Sequence, residues 1–265
     1  MRVISLSILY VTCMISGLQQ STASTTKEDI HFAVHASGLT RQIAFIPDII
    51  HSATIENLHP SLRCSRVISS MINSAIRPDY ITERVVNSLS GSLKSHEISA
   101  LLKWYMSEDG RRISERENTT AIAGEQRYGV PEATLALIHN IESTVNATEI
   151  SARLQAVTDD GINLLNSNNP QNNEKGNKII SQRVTEDQMI AHLHSYVLDS
   201  YIQVYNDLGP DLLLSYQAFL QQPPTLRFYR IAADAMLQAL SNQMTQLSDG
   251  LPPVCYEDVS ESVKQ

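Results

Sequence analysis

Apolar residues recur along this sequence at three- and four-residue steps, and no stretch sustains the strict alternation of a half-buried strand, so the pattern admits helices and little else. Ile30, Ala33 and Val34 form one stripe, which Gly38 stops. Ile68, Met71, Ile72 and Ile76 form another. Arg77-Pro78-Asp79 ends it, because a residue before proline is pushed away from the helical region. A further helix is predicted from about Asp79 to Leu89. Ser95 is placed to cap the next one, which carries Ile98, Leu101, Leu102 and Tyr105 on one face. Val130-Pro131-Glu132 and Thr185-Glu186-Asp187-Gln188 are two later start signals, the first with proline in the first turn and the second with a capping box. With 42% apolar and 18% charged residues, such helices have enough material to bury a sizeable core.

Residues 1–23 read as an export signal: Arg2 precedes an uncharged run from Val3 to Leu18, and Ser21 and Ala23 suit cleavage after Ala23. The apolar run is about 16 residues, short for a bilayer core that needs about 20. The rival readings are an uncleaved anchor and a lipoprotein signal at Cys13. Cleavage leaves a periplasmic or secreted protein with no stable membrane span. Ser167 to Asn177, SNNPQNNEKGN, is too polar to pack. The expected organisation is therefore a signal over 1–23, a helical half over 24–165, a polar linker over 166–178, a second helical half over 179–249 and a tail over 250–265. The formal charge of −8 disfavours nucleic acid and anionic lipid as partners. Without Cys13, two cysteines remain, Cys64 and Cys255. In an oxidising compartment they either bridge, closing a loop of about 190 residues, or stay as two thiols.

The two halves share a faint repeat. WYMSEDGRRI at Trp104 to Ile113 and FLQQPPTLRF at Phe219 to Phe228 each follow an apolar helix and break at a turn. Trp104 then matches Phe219, Glu108 matches Pro223, Arg112 matches Arg227 and Ile113 matches Phe228. The expected fold is all-α: antiparallel helical hairpins in two weakly similar halves forming one bundle-like domain.

Trp104, Tyr105, Ser107, Gly110 and Arg112, with Ser37-Gly38-Leu39-Thr40-Arg41-Gln42 and Pro47 upstream and Tyr201 to Phe228 downstream, resemble the exported bacterial proteins grouped as domain of unknown function 2059. Glu108 stands where that pattern usually has a proline, and Thr225 where it usually has a glycine. The resemblance implies a helical envelope protein and no particular activity.

Chemistry is sparse. There is no G-x-S-x-G, C-G-x-C, G-x-G-x-x-G or G-x-x-x-x-G-K, so neither a nucleophile elbow nor a phosphate-cradling loop is indicated. His31 and His35 share a helix face but lack a third ligand beyond Glu28. His192 and His194 lie two apart, about 200° around a helix, and do not by themselves clasp an ion. The expectation is a non-enzymatic module without a cofactor, binding an envelope protein or an apolar ligand in a groove near Trp104, Tyr105, Phe219 and Pro223. The rival is a metal-assisted hydrolase using His192 or His194.

Overall fold

Thr26 opens the first helix with a reciprocal cap: its hydroxyl accepts from the Asp29 N–H at 3.3 Å, and the Asp29 carboxylate accepts from the Thr26 N–H at 2.8 Å. The computed structural model describes residues 26–58, 62–119, 129–167, 186–247 and Cys255, and shows no strand among them. In chain order the helices are α1 (Lys27–Ala36), α2 (Leu39–Ala44), α3 (Ile46–Leu58), α4 (Leu62–Ala75), α5 (Pro78–Ser92) and α6 (Ser95–Tyr105). They continue as α7 (Glu108–Thr119), α8 (Glu132–Thr144), α9 (Ala147–Ser167), α10 (Glu186–Tyr205), α11 (Pro210–Leu220) and α12 (Pro223–Leu247). The all-α class and its bundle-like packing are thus as the periodicity requires.

α12 is the central element. It packs on α5, α9, α4 and α6, while α11 packs on α8 and α7. Helices from before and after residues 166–178 therefore build one continuous apolar cluster. Ala232, Ala233, Ala235 and Ala239 are buried along α12, and small side chains there let neighbouring helices close in. Gly161 of α9 does the same from the other side: a Cβ at that position would lie 2.9 Å from Met244 Cβ.

Several local signals resolve differently in detail. Ser95 is the first residue of α6 rather than its cap, and Lys94 takes the cap position, its N–H donating to Glu97 at 2.8 Å. Pro131 occupies the cap position of α8 instead of its first turn. α9 extends through Ser167, into the stretch read as linker. Residues 1–25, 168–185 and, apart from Cys255, the tail from 248 lie outside the described residues. So do the signal, most of the linker and Thr185 of the proposed capping box.

The α6–α7 turn explains a glycine. Met106 and Ser107 separate the two helices, Ser107 N–H donating to Trp104 O at 2.8 Å, and Ser107 Oγ accepts from Gly110 N–H at 3.0 Å as the cap of α7. This brings α7 so close to the end of α6 that a Cβ on Gly110 would sit 2.0 Å from Trp104 O and 2.9 Å from Tyr105 Cα. Backbone atoms cannot rotate aside as a side chain can. Gly110→Ala is expected to cost about 2 kcal/mol through overpacking, read as a lower midpoint in urea unfolding, whereas Gly91→Ala, with open space around it, leaves the midpoint unchanged or raised. The α11–α12 turn runs through Gln221 and Gln222, with Gln222 N–H donating to Phe219 O at 3.1 Å, and Thr225 stands where α7 has Gly110.

Cys64 on α4 and Cys255 are joined as a disulfide, with S–S 2.09 Å and Cα–Cα 4.9 Å. Of the two readings left open by the sequence, the bridge is the one present.

Candidate functional site

The aromatic set does not line an open groove. Trp104 stacks on Phe219, centroids 4.7 Å apart, and Phe219 meets Tyr105 edge-on at 5.5 Å. Tyr105 and Phe219 are buried, Trp104 is half-buried, and Pro223 stands exposed at the start of α12. The reason is geometric: Trp104 and Tyr105 end α6 and Phe219 lies near the end of α11, so packing these two helix ends together presses the rings into one stack. Tyr105 and Phe219 belong to the buried core, and Trp104 packs against it half-buried.

Behind that stack lies an arrangement that sequence reading missed. Glu117 near the end of α7 accepts hydrogen bonds at Oε1 from Tyr205 of α10 at 2.5 Å and from Tyr216 of α11 at 2.6 Å. Its Oε2 is sealed from solvent with no partner among the described residues, as is Trp104 Nε1. Burial pushes the Glu117 carboxyl from its ordinary 4.5 up to about 7, against the downward pull of the two phenol hydrogen bonds. Tyr105, Tyr205, Tyr216 and Tyr229 are all pushed well above the usual phenol range, first by burial, with the Glu117 charge adding to it. These phenols stay neutral and can only donate or share protons with one another, as Tyr105 and Tyr229 do at 3.4 Å between hydroxyls.

The serine-glycine-leucine segment supports this centre. Gly38 has φ of +73°, and its missing Cβ would lie 3.2 Å from Glu117 Cβ. Arg41 donates to the Glu117 main-chain carbonyl at 3.0 Å rather than to the carboxylate, which is why no cation offsets the burial. Inaccessible on Oε2, Glu117 is unsuited to take a proton from an external substrate.

An open cleft of about 440 Å³ lies between the α8–α9 turn and α12, on the far side of Tyr229. Its walls combine Val145, Ile150, Tyr229 and Ala233 with Arg153, Arg227 and Arg230. Arg153 reaches across to Asp234 at 2.9 Å, and Arg227 is held by Glu97 at 2.7 Å. For Arg230 no ion pair is seen among the described residues. Leu226, 41% exposed, stands at the rim. Asn146, in the turn, has φ of +53°, a left-handed conformation that asparagine tolerates better than most residues. Arg230 was not legible as a site residue, because a single helix-surface arginine carries no pattern.

His31 Nε2 lies 3.2 Å from Glu83, which also binds Lys27, so of the i, i+4 pair His31 is turned to an ion-pair cluster. The His192 side chain lies outside the described residues. His194 on α10 comes beside His139 and Glu142 of α8, in a group of three ligand-bearing side chains whose donor atoms lie within 4.8 Å of one another. His139 and Glu142 are one helical turn apart, and the partner helix was invisible to spacing alone.

Set against known proteins, the chain matches no family model, no curated protein and no solved structure.

Proposed function

We propose that this chain is an exported, non-enzymatic binding module, a helical envelope protein similar to the domain of unknown function 2059 group, and that its binding surface is the cleft between the α8–α9 turn and α12. The observation that carries this reading is the pairing there of an apolar floor and an exposed Leu226 with Arg230, which faces no ion partner among the described residues. A ligand offering an apolar group beside a carboxylate, such as a segment of an envelope protein, would satisfy both. The stacked aromatics at Trp104 support the cleft's position by holding the two hairpins together.

The test compares three forms exported to a bacterial periplasm: wild type, Leu226→Asp with Arg230→Glu, and Trp104→Ala. Native mass spectrometry should show a retained molecule on the wild type and its loss from the cleft variant at unchanged melting temperature. Trp104→Ala should keep the ligand while losing about 2 kcal/mol of stability: truncating a packed Trp costs about 3–5 kcal/mol, and removing a buried N–H without a partner returns about 1–2. A ligand lost with Trp104 but kept by the cleft variant would move the site back to the aromatic stack.

A further inference from the structure

We infer that His139, Glu142 and His194 form a binding site for a divalent transition cation of the zinc type, joining α8 to α10. The site shares no lining residue with the cleft, although both lie toward the C-terminal end of α8, and it asks for no catalysis.

Glu142 anchors the group. Its side chain is buried, with 3% exposure, and its Oε1 is fixed by two donors from the start of α9, the Thr148 N–H at 3.0 Å and the Thr148 hydroxyl at 2.6 Å. That pair of bonds orients the carboxylate and leaves Oε2 on the histidine side, 4.0 Å from His139 Nδ1. Metal ligands are held by outer hydrogen bonds of this type, which lock a carboxylate before the ion arrives. A buried carboxylate whose second oxygen faces an imidazole instead of a lysine or arginine is also short of positive charge.

The His139 ring, half of it in solvent, and the His194 ring lie 5.4 Å apart between centroids and are tilted by 60°. Two imidazoles and one carboxylate are the donor set of a three-ligand zinc site with the fourth position open. With metal–ligand bonds of about 2.0–2.2 Å, donors on one tetrahedral shell stand about 3.4 Å apart. The donor atoms lie within 4.8 Å of one another, so the group must close by at most about 1.4 Å, a movement that rotation of two partly exposed imidazoles supplies. Glu142 itself need not move. Three ligands from two helices, one of them fixed in advance, distinguish this group from an exposed acidic patch.

The ion would tie α10 to α8. α10 also carries Tyr201 and Tyr205, so the same helix that supplies a phenol to Glu117 would be pinned near its middle, at His194.

The full-length exported chain, untagged and stripped with a chelator, should bind Zn²⁺ at one site in isothermal titration calorimetry, and its melting temperature should rise with Zn²⁺ concentration. His139→Ala and His194→Ala should each weaken Zn²⁺ binding by tenfold or more while preserving the circular dichroism spectrum and the Zn²⁺-free melting temperature. Glu142→Gln, which keeps the acceptor for Thr148, should weaken binding with the helix cap intact. His96→Ala, an exposed histidine remote from the group, should bind as wild type. With Co²⁺ as the probe, the visible bands of a four-coordinate ion should appear in wild type and vanish in His194→Ala. Absence of Zn²⁺ binding by wild type, or binding that survives both histidine substitutions, overturns the assignment.

Discussion

Removing the Cys64–Cys255 bond with the pair Cys64→Ala and Cys255→Ala lowers the stability of this protein by about 5 kcal/mol. The bond closes a loop with a sequence separation of 191, and restoring that freedom to the unfolded chain is worth about 5 kcal/mol on the chain-entropy argument. A whole domain of this kind is stable by about 5–15 kcal/mol, so the loss takes a third or more of it. Two features of the folded state favour the full effect: Cys64 is buried in the core on α4, and Cys255 packs against the same cluster. Alanine keeps the Cβ at each place and adds no polar group. Urea unfolding of the oxidised wild type, the reduced wild type and the double variant measures it, and the last two should coincide. A change below about 1 kcal/mol would mean that the unfolded chain keeps these ends together without the bond.

Glu117 gives the second large effect, and its sign follows from the direction of its shift. Below pH about 4.5 the carboxyl is protonated in the folded and unfolded chain alike, and burial costs nothing extra. Between about 4.5 and about 7 the folded chain keeps the proton while the unfolded chain has released it, so stability falls as pH rises through this window. Above about 7 the penalty is complete at about 3 kcal/mol, from the gap between 4.5 and about 7. Glu117→Gln carries no charge at any pH and retains an acceptor for Tyr205 and Tyr216. Its stability relative to wild type should therefore rise by about 3 kcal/mol from pH 4.5 to pH 8, followed by urea unfolding at intervals. Glu83 and Glu97 are shifted the opposite way, each chiefly by hydrogen bonding, and they withdraw stability only as pH falls below about 4.5, outside the window. Asp159, raised by burial, is common to both proteins and cancels in the difference. A difference that stays flat from pH 4.5 to 8 would show that water reaches Oε2.

The same residue shows why part of the site could not be read in advance. Glu117 belongs to EDGRRISERENT, a segment so polar that it reads as a solvated helix face. Ile113 and Gly110 are its buried residues, and Glu117 is enclosed only because α10 and α11 bring Tyr205 and Tyr216 over it. Burial of a charge is a property of the neighbours, and these lie 88 and 99 positions away. His139 and Glu142 escaped for a related reason: Glu142 looks like a surface acid one turn from a histidine until Thr148 of the next helix and His194 of α10 close on it.

What local physics governs, the sequence determined by itself. The three- and four-residue apolar steps gave helices at Ile30–Val34, Ile68–Ala75 and Ile98–Tyr105, because period and burial are set within a turn or two of chain. The breaks at Arg77-Pro78 and at Met106-Ser107 follow from the residues there, since proline geometry and a serine cap act over one peptide unit or one turn. Tertiary structure decided how the faces meet: whether Trp104 and Phe219 flank a groove or stack, which acids are sealed, and which histidines gather. Those outcomes depend on the distance between helices, and that distance is fixed by small residues such as Gly110 and Gly161 acting together across the fold, where a side chain meets partners that no sequence spacing specifies.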